Sequence, residues 1–146
     1  MKKLPQKVGF AVAAVFMSVG VAQAGSVEVK IVNSTNTTIE NQNPTCLADG
    51  DFPGTIRDGG SATVNTTGDA TLYSCVVEYN RDDNNRGCRF VISRFWNNGF
   101  PPYYPGSWGA PQVVEYEDTG MNCSHNFTYI DLGTSGGFKV TLTVDD

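Results

Sequence analysis

The chain has 146 residues, 15 of them acidic and 10 basic, for a formal net charge of −5. That balance repels phosphate, so it excludes a general nucleic-acid-binding role and opposes docking on anionic lipid by charge alone. Four cysteines, one histidine and two tryptophans are the scarce residues on which chemistry or recognition would have to rest.

Residues 1–24 read as a secretory signal peptide. Lys2, Lys3 and Lys7 form a basic start, Val8 to Val21 is an apolar run of 14 residues, and Ala22-Gln23-Ala24 is a small-residue cleavage site. The run falls short of the ~20 residues that span a bilayer. Cleavage after Ala24 leaves 122 residues, with 7 basic side chains against 15 acidic, a net charge near −8. A length of that order is one domain, residues 25–146. The Lys-Lys start and short leader point to a bacterium, and to a protein secreted or held in the periplasm. All four cysteines lie in the exported part, which favours two disulfides. Their gaps of 29, 13 and 35 residues do not suit zinc, whose cysteine ligands come in close pairs.

The exported part reads as short strands and turns. Val27, Val29 and Ile31 alternate with Glu28, Lys30 and Val32, the period-2 pattern of a half-buried strand. A turn follows at Asn33–Asn36 and a short strand at Thr37–Glu40. Residues 41–54, with Asn43-Pro44, Asp49-Gly50 and Pro53-Gly54, form a loop. Thr55–Asp58 and Ser61–Val64 are strands about the Gly59-Gly60 turn. Thr71–Tyr79 and Cys88–Trp96 are β-branched and aromatic runs around a polar tip, and predict a hairpin. Centred near residues 81 and 82, that hairpin sets Cys75 opposite Cys88 and leaves Cys46 to Cys123; the other two connectivities stay open. One face of its second strand carries Cys88, Phe90, Ile92 and Arg94. Asn97–Pro111, with four prolines and three glycines, is irregular. Val113–Glu117 is a strand, Asp118–Asn126 a loop, and Phe127–Leu132 and Phe138–Val144 are strands. No window outside the leader has helical period. Evenly spaced strands with glycine-rich turns predict an all-β fold, a single antiparallel sandwich with two disulfides.

Little in this pattern suggests catalysis, a metal or a cofactor. Gly133-Thr134-Ser135-Gly136-Gly137 matches the G-x-S-x-G signature, but a nucleophile elbow joins a strand to a helix and precedes its histidine. Here His125 lies upstream and a strand follows, so the motif reads as a turn using glycine for positive φ. Asp82, Asn84 and Gly87 fail the EF-hand spacing, since Arg86 and Ser93 fall where ligands belong. Asp49-Gly50-Asp51 is a second oxygen cluster without a pattern. Glu115 and Glu117 share one side of a strand, and two acids on a solvent face usually serve solvation. Five N-x-[S/T] sequons, at Asn33, Asn36, Asn65, Asn122 and Asn126, reflect a Thr/Asn-rich β surface in a bacterial protein.

The segment from Trp96 to Trp108 stands apart. It holds five of the chain's sixteen aromatics, Trp96, Phe100, Tyr103, Tyr104 and Trp108, in thirteen residues. A loop runs on the surface, and prolines stiffen it, so its rings would be presented at low entropic cost. Such rings suit a membrane interface, where Trp and Tyr sit at headgroup depth, or the face of a sugar or choline-like cation. These five residues are the candidate ligand-binding set.

The stretches SVEVKIVNSTNTTI, IRDGGSATVNTTG, the VVEY…RFVISRFWNN hairpin with its tyrosine-rich loop, and the closing GGFKVTLTV strand together resemble aegerolysins and related actinoporin-like proteins. The resemblance spans most of the exported chain. It implies a β-sandwich that binds lipid headgroups through aromatic loops at one end, with Trp96, Tyr103, Tyr104 and Trp108 as contacts. The expected function is a secreted, non-enzymatic protein binding membrane lipid headgroups, a toxin component in the manner of those families. A glycan-binding module using the same rings with Asn97 and Asn98, and a periplasmic inhibitor or immunity protein, are the alternatives.

Overall fold

The computed structural model describes residues 25–42, 44–47, 50–69, 71–99, 106–133 and 135–146. The expected leader, and Phe100, Tyr103 and Tyr104 of the aromatic segment, lie outside the described residues.

Eleven strands make up the described chain: β1 (Ser26–Asn33), β2 (Ile39–Asn41), β3 (Thr45–Cys46), β4 (Thr55–Ile56), β5 (Ser61–Thr67), β6 (Leu72–Arg81), β7 (Gly87–Asn97), β8 (Ser107–Trp108), β9 (Gln112–Glu117), β10 (Asn122–Ile130) and β11 (Phe138–Asp145). They form two facing sheets. One has the order β10-β11-β1-β5. The other runs β4-β2-β6-β7-β8, with β3 also on β6 and β9 also on β7. The all-β sandwich expected from the pattern is the fold observed. Its pairings are antiparallel but for β1 and β11, which run parallel from Val27↔Phe138 to Asn33↔Val144.

The period-2 runs bury the face they promise. Val27, Val29 and Ile31 of β1, Tyr73, Cys75, Val77 and Tyr79 of β6, Phe90 and Ile92 of β7, and Phe138, Val140, Leu142 and Val144 of β11 are the inner faces of the two sheets. Apolar burial of this kind is the main favourable contribution to folding. Polar groups that enter the core are satisfied. The buried Asn33 side chain donates to the Thr37 and Ile56 carbonyls at 2.8 and 2.9 Å and accepts from the Thr35 N–H at 3.0 Å, which fixes the turn after β1. The Tyr73 hydroxyl accepts from Thr66 Oγ1 at 2.9 Å, across the two sheets.

The disulfides are Cys46–Cys75 and Cys88–Cys123, not the favoured Cys75–Cys88 and Cys46–Cys123. The hairpin register explains the difference. β6 and β7 pair Asn80 with Gly87, so the tip lies at residues 81–86, further along than expected. Cys75 then faces Ile92, and Cys88 faces Tyr79. Cys75 instead lies opposite Cys46 on β3, and Cys88 meets Cys123 from the other sheet. The tip closes with Asn85 at φ 57°, a left-handed residue that asparagine tolerates.

Three expected loops contain strands. Thr45–Cys46 pairs with β6 inside the 41–54 loop. Ser107–Trp108 pairs with Trp96-Asn97 inside the 97–111 segment. Residues 122–126, expected as loop, open β10, because Cys123 and His125 turn inward while Asn122, Ser124 and Asn126 face solvent. The acids of β9 are likewise not on the solvent face alone. Glu115 Oε1 lies 2.6 Å from His125 Nδ1, and Glu117 Oε2 accepts the Cys123 N–H at 3.3 Å, so both reach across to β10.

Candidate functional site

One end of the sandwich gathers the features worth explaining. There β1 and β11 begin, β5, β7 and β10 finish, and β8 pairs with the end of β7. Along β7 the side chains alternate: Arg94 inward, Phe95 outward, Trp96 inward. The strand then enters the aromatic segment and returns through β8, pairing Trp96 with Trp108 and Asn97 with Ser107. The two indoles meet edge to face, with centroids 5.8 Å apart at 74°. Such a pair adds about 0.5–1.5 kcal/mol beyond its area burial. The Trp96 ring also lies on the backbone of Gly106, leaving no room for a Cβ there. The aromatic segment is therefore closed at its base by two rings and a short ladder.

Arg94 lies beneath this base. It is 0% exposed, the largest fully buried side chain among the described residues. Its guanidinium donates to four carbonyls: Nε to Gly109 at 2.7 Å, Nη1 to Gly136 at 2.6 Å and Gly137 at 3.1 Å, and Nη2 to Asp131 at 2.5 Å. The Trp108 and Phe138 rings stand 5.7 and 5.8 Å from its Cζ. Burial pulls its pKa below the ordinary guanidinium value, and the Asp131 charge works the other way. A planar cation with five fixed donors can tie two loops from opposite sheets together; an ammonium could not.

Trp108 is 4% exposed. As a contact residue it is corrected: its indole is packed into the end of the sandwich and cannot be presented to a ligand surface. The reason is local. Gly136 sits at φ +66°, and its missing Cβ is the space that the Trp108 ring fills. Trp96 is half-buried on the same stack. The two tryptophans thus stack at the base of the segment whose other rings, Phe100, Tyr103 and Tyr104, lie outside the described residues.

The remaining sequence candidates do not assemble into a reactive site. Ser135 Oγ donates to the Asp131 carboxylate, and the Gly133 N–H donates to it at 2.7 Å. These bonds, with the Ser135 hydroxyl first, hold the Asp131 carboxyl below its usual range. His125 is engaged with Glu115 rather than with Ser135 or Asp131. Gly136, in the connection between the antiparallel strands β10 and β11, has the positive φ expected of a glycine there. Asp82 accepts from Thr37 Oγ1 at 2.5 Å, Asn84 Oδ1 accepts the Arg86 N–H at 3.0 Å, and Asp83 pairs with Arg81 at 2.7 Å. Among the described residues no cluster of three or more His, Cys, Asp or Glu could hold a metal ion.

Sequence reasoning missed the apolar rim. Among the described residues the exposed large hydrophobics are Leu47, Phe95, Val114, Tyr116, Tyr129, Ile130 and Leu132. Phe95 on β7 and Ile130 and Leu132 at the close of β10 lie toward the end where Trp96 and Trp108 pair, whereas Tyr129 turns to the outer face of the four-stranded sheet. Leu47 follows β3, and its N–H bonds the Ser74 carbonyl of β6. Phe95 and Leu132 are 56% and 62% exposed. The outward phase of Phe95 was legible, because it alternates with the inward Arg94. The gathering of the others was not, since it depends on which strand ends meet.

No protein-family profile matches this sequence, and no curated protein does. Solved structures do. The lipid binding protein Nakanori superposes with a TM-score of 0.52 at 11% identity, over 84% of this chain and 71% of that one. What is shared is the fold. Two others are IP-1A from Alcaligenes faecalis (TM-score 0.49, 14% identity, 86% and 95% covered) and the Xerocomus chrysenteron lectin XCL (TM-score 0.47, 8% identity, 84% and 100% covered). At TM-scores below one half, those two likenesses bear no weight.

Proposed function

We propose that this is a secreted, non-enzymatic protein that binds membrane lipid through the end of the sandwich bearing the aromatic segment, in the manner of aegerolysins and actinoporin-like proteins. The observation that carries the reading is the rim. Exposed large apolar residues on a water-soluble surface are ordinary when scattered, and mark an interaction site when they gather. Phe95 and Leu132 stand beside this base: Phe95 lies between Arg94 and Trp96 on β7, and Leu132 follows Asp131, whose carbonyl Arg94 holds. Two bridges, Cys46–Cys75 and Cys88–Cys123, suit an oxidising compartment. The lipid binding recorded for Nakanori, on a similar fold, is consistent with the same role here.

Magnitudes say which residues must contribute. Full burial of a Leu, Ile or Phe is worth about 1.5–3 kcal/mol, and roughly half of that remains to be gained at Phe95 or Leu132. Micromolar binding needs about 8 kcal/mol. The rim supplies part of this, so the rings of Phe100, Tyr103 and Tyr104 must supply the rest. With the acidic balance of the chain, a zwitterionic headgroup suits better than an anionic one.

Flotation with phosphatidylcholine and phosphatidylethanolamine vesicles tests this. The wild-type chain is expected to float, and Tyr103→Ala with Tyr104→Ala to remain at the bottom of the gradient with an unchanged melting temperature. Trp108→Ala separates grip from fold, since loss of its buried ring should cost about 3–5 kcal/mol of stability. No flotation of the wild type on either lipid, or equal flotation of the double variant, refutes the reading.

A further inference from the structure

The outer face of the four-stranded sheet carries a second feature that owes nothing to the aromatic segment. Inward residues of β10 are Cys123, His125 and Phe127, so simple alternation would send Tyr129 into the core as well. It does not go there. The register with β11 shifts between Phe127 and Tyr129, and Tyr129 pairs with Lys139 on the outer face. A β-bulge costs ladder hydrogen bonding and re-aims a side chain. The ring it turns outward is 52% exposed.

Around that ring the sheet is polar and electrically balanced. Register places Tyr129, Lys139, Glu28 and Asn65 in one row across β10, β11, β1 and β5. Four strands at ~4.8 Å spacing make the row about 14 Å long. Lys139 Nζ donates to Glu28 Oε2 at 3.1 Å, and both side chains keep part of their surface in solvent. These residues, with Gly25, Ser26, Ser135, Gly137 and Phe138, line an open depression of about 480 Å³. That is within the ~300–1,000 Å³ typical of small-molecule sites.

The chemistry selects the ligand class. An anionic group would meet the Glu28 carboxylate, and a cationic one the Lys139 ammonium, so neither gains from the paired charges. A neutral ring bearing several hydroxyls can donate to Glu28, accept from Lys139, and do both with the Asn65 amide. Its C–H face can lie on the Tyr129 ring, whose apolar body is otherwise spent on water. We propose that this depression binds a neutral pyranose. The sugar could come from a soluble glycan or from a glycolipid headgroup. Ser135 and Gly137 line the depression while Gly136 between them holds Trp108, so the site and the aromatic segment flank one turn.

Saturation-transfer NMR on the full exported chain tests the proposal with the methyl pyranosides of glucose, galactose, mannose and N-acetylglucosamine. Transfer to at least one pyranoside is expected. It should vanish in Tyr129→Ala, and affinity should fall about tenfold in Asn65→Ala, the equivalent of one hydrogen bond lost. Both sites are exposed, so melting temperatures should hold and failure to fold is excluded by that measurement. Tyr103→Ala with Tyr104→Ala should leave the pyranoside signal intact, which keeps this result distinct from the flotation assay. Phosphatidylcholine vesicles carrying a monohexosylceramide separate the sources: recruitment above plain vesicles that needs Tyr129 assigns the glycolipid, and pyranoside binding without it assigns the soluble glycan. No transfer to any of the four, or transfer that survives Tyr129→Ala, overturns the proposal.

Discussion

Replacing Arg94 is the sharpest test of how the candidate site is held. Arg94→Met keeps the length of the stem and removes four charge-assisted hydrogen bonds to Gly109, Gly136, Gly137 and Asp131. Hydrogen bonds to a charged group are worth about 1.5–3 kcal/mol each. Against them stands the desolvation of a guanidinium, several kcal/mol, which methionine relieves. The carbonyls decide the balance. Gly137 O keeps the Asp131 N–H at 2.9 Å, but Gly109, Gly136 and Asp131 lose the Arg94 donor, at about 1–3 kcal/mol for each buried acceptor left unpaired. The net expectation, three such acceptors less the burial cost that methionine relieves, is a loss of about 3–5 kcal/mol. For a domain of this size that lowers Tm by about 10–20 °C. Urea unfolding followed by tryptophan fluorescence is the assay, because Trp96 and Trp108 stand at the site. Arg94→Lys should do no better than Arg94→Met, since an ammonium keeps the burial cost and loses the planar fork. A loss below about 1 kcal/mol in Arg94→Met, or full rescue by lysine, would refute the claim that the fork joins the two loops.

Other consequences can be measured independently. Non-reducing peptide mapping should find 46–75 and 88–123 linked, and no 75–88 peptide. Each bridge closes a loop of comparable length, with separations of 29 and 35, so removing either should cost about 3.5–4 kcal/mol; a melting temperature unmoved by reductant would contradict this. Burial pushes the Tyr79 phenol up to about 12, while its hydroxyl donates to the Pro53 carbonyl at 2.8 Å. A raised acid in the folded state means stability is complete below pH 10 and lost as pH climbs from 10 through 12, by roughly 2–3 kcal/mol. Tyr73 is raised in the same direction by burial. Tyr79→Phe should flatten that alkaline slope; an unchanged slope in denaturant titrations would count against it.

The sandwich was legible because its central strands are strictly patterned. Val27, Val29 and Ile31, the β6–β7 hairpin, and Phe138 to Val144 announce both period and inner face. What sequence withheld depends on register and on neighbours. The hairpin tip is polar throughout, so nothing local fixed its centre, and the displaced pairing changed which cysteines could meet. The first half of β10 is hidden by its polar outer phase, Asn122, Ser124 and Asn126. Arg94 was placed on the correct face beside Phe90 and Ile92, yet a lone charge on an apolar face was the signal for a buried clamp and went unread. The aromatic segment was visible as composition. That Trp108 belongs to its foundation required Gly136, 28 residues downstream, to supply the socket.

The parallel pairing of β1 with β11 has a consequence for how the chain acquires its shape. Glu28 and Lys139 are 111 residues apart, and between them lie all the other strands of the molecule. Closing so long a span is entropically slow. Until the final strand arrives, the valines of β1 have only β5 beside them and present a bare apolar ladder to any passing chain. The depression on the outer face of that layer is lined from β10, β11, β1 and β5 together, so it cannot exist before this closure.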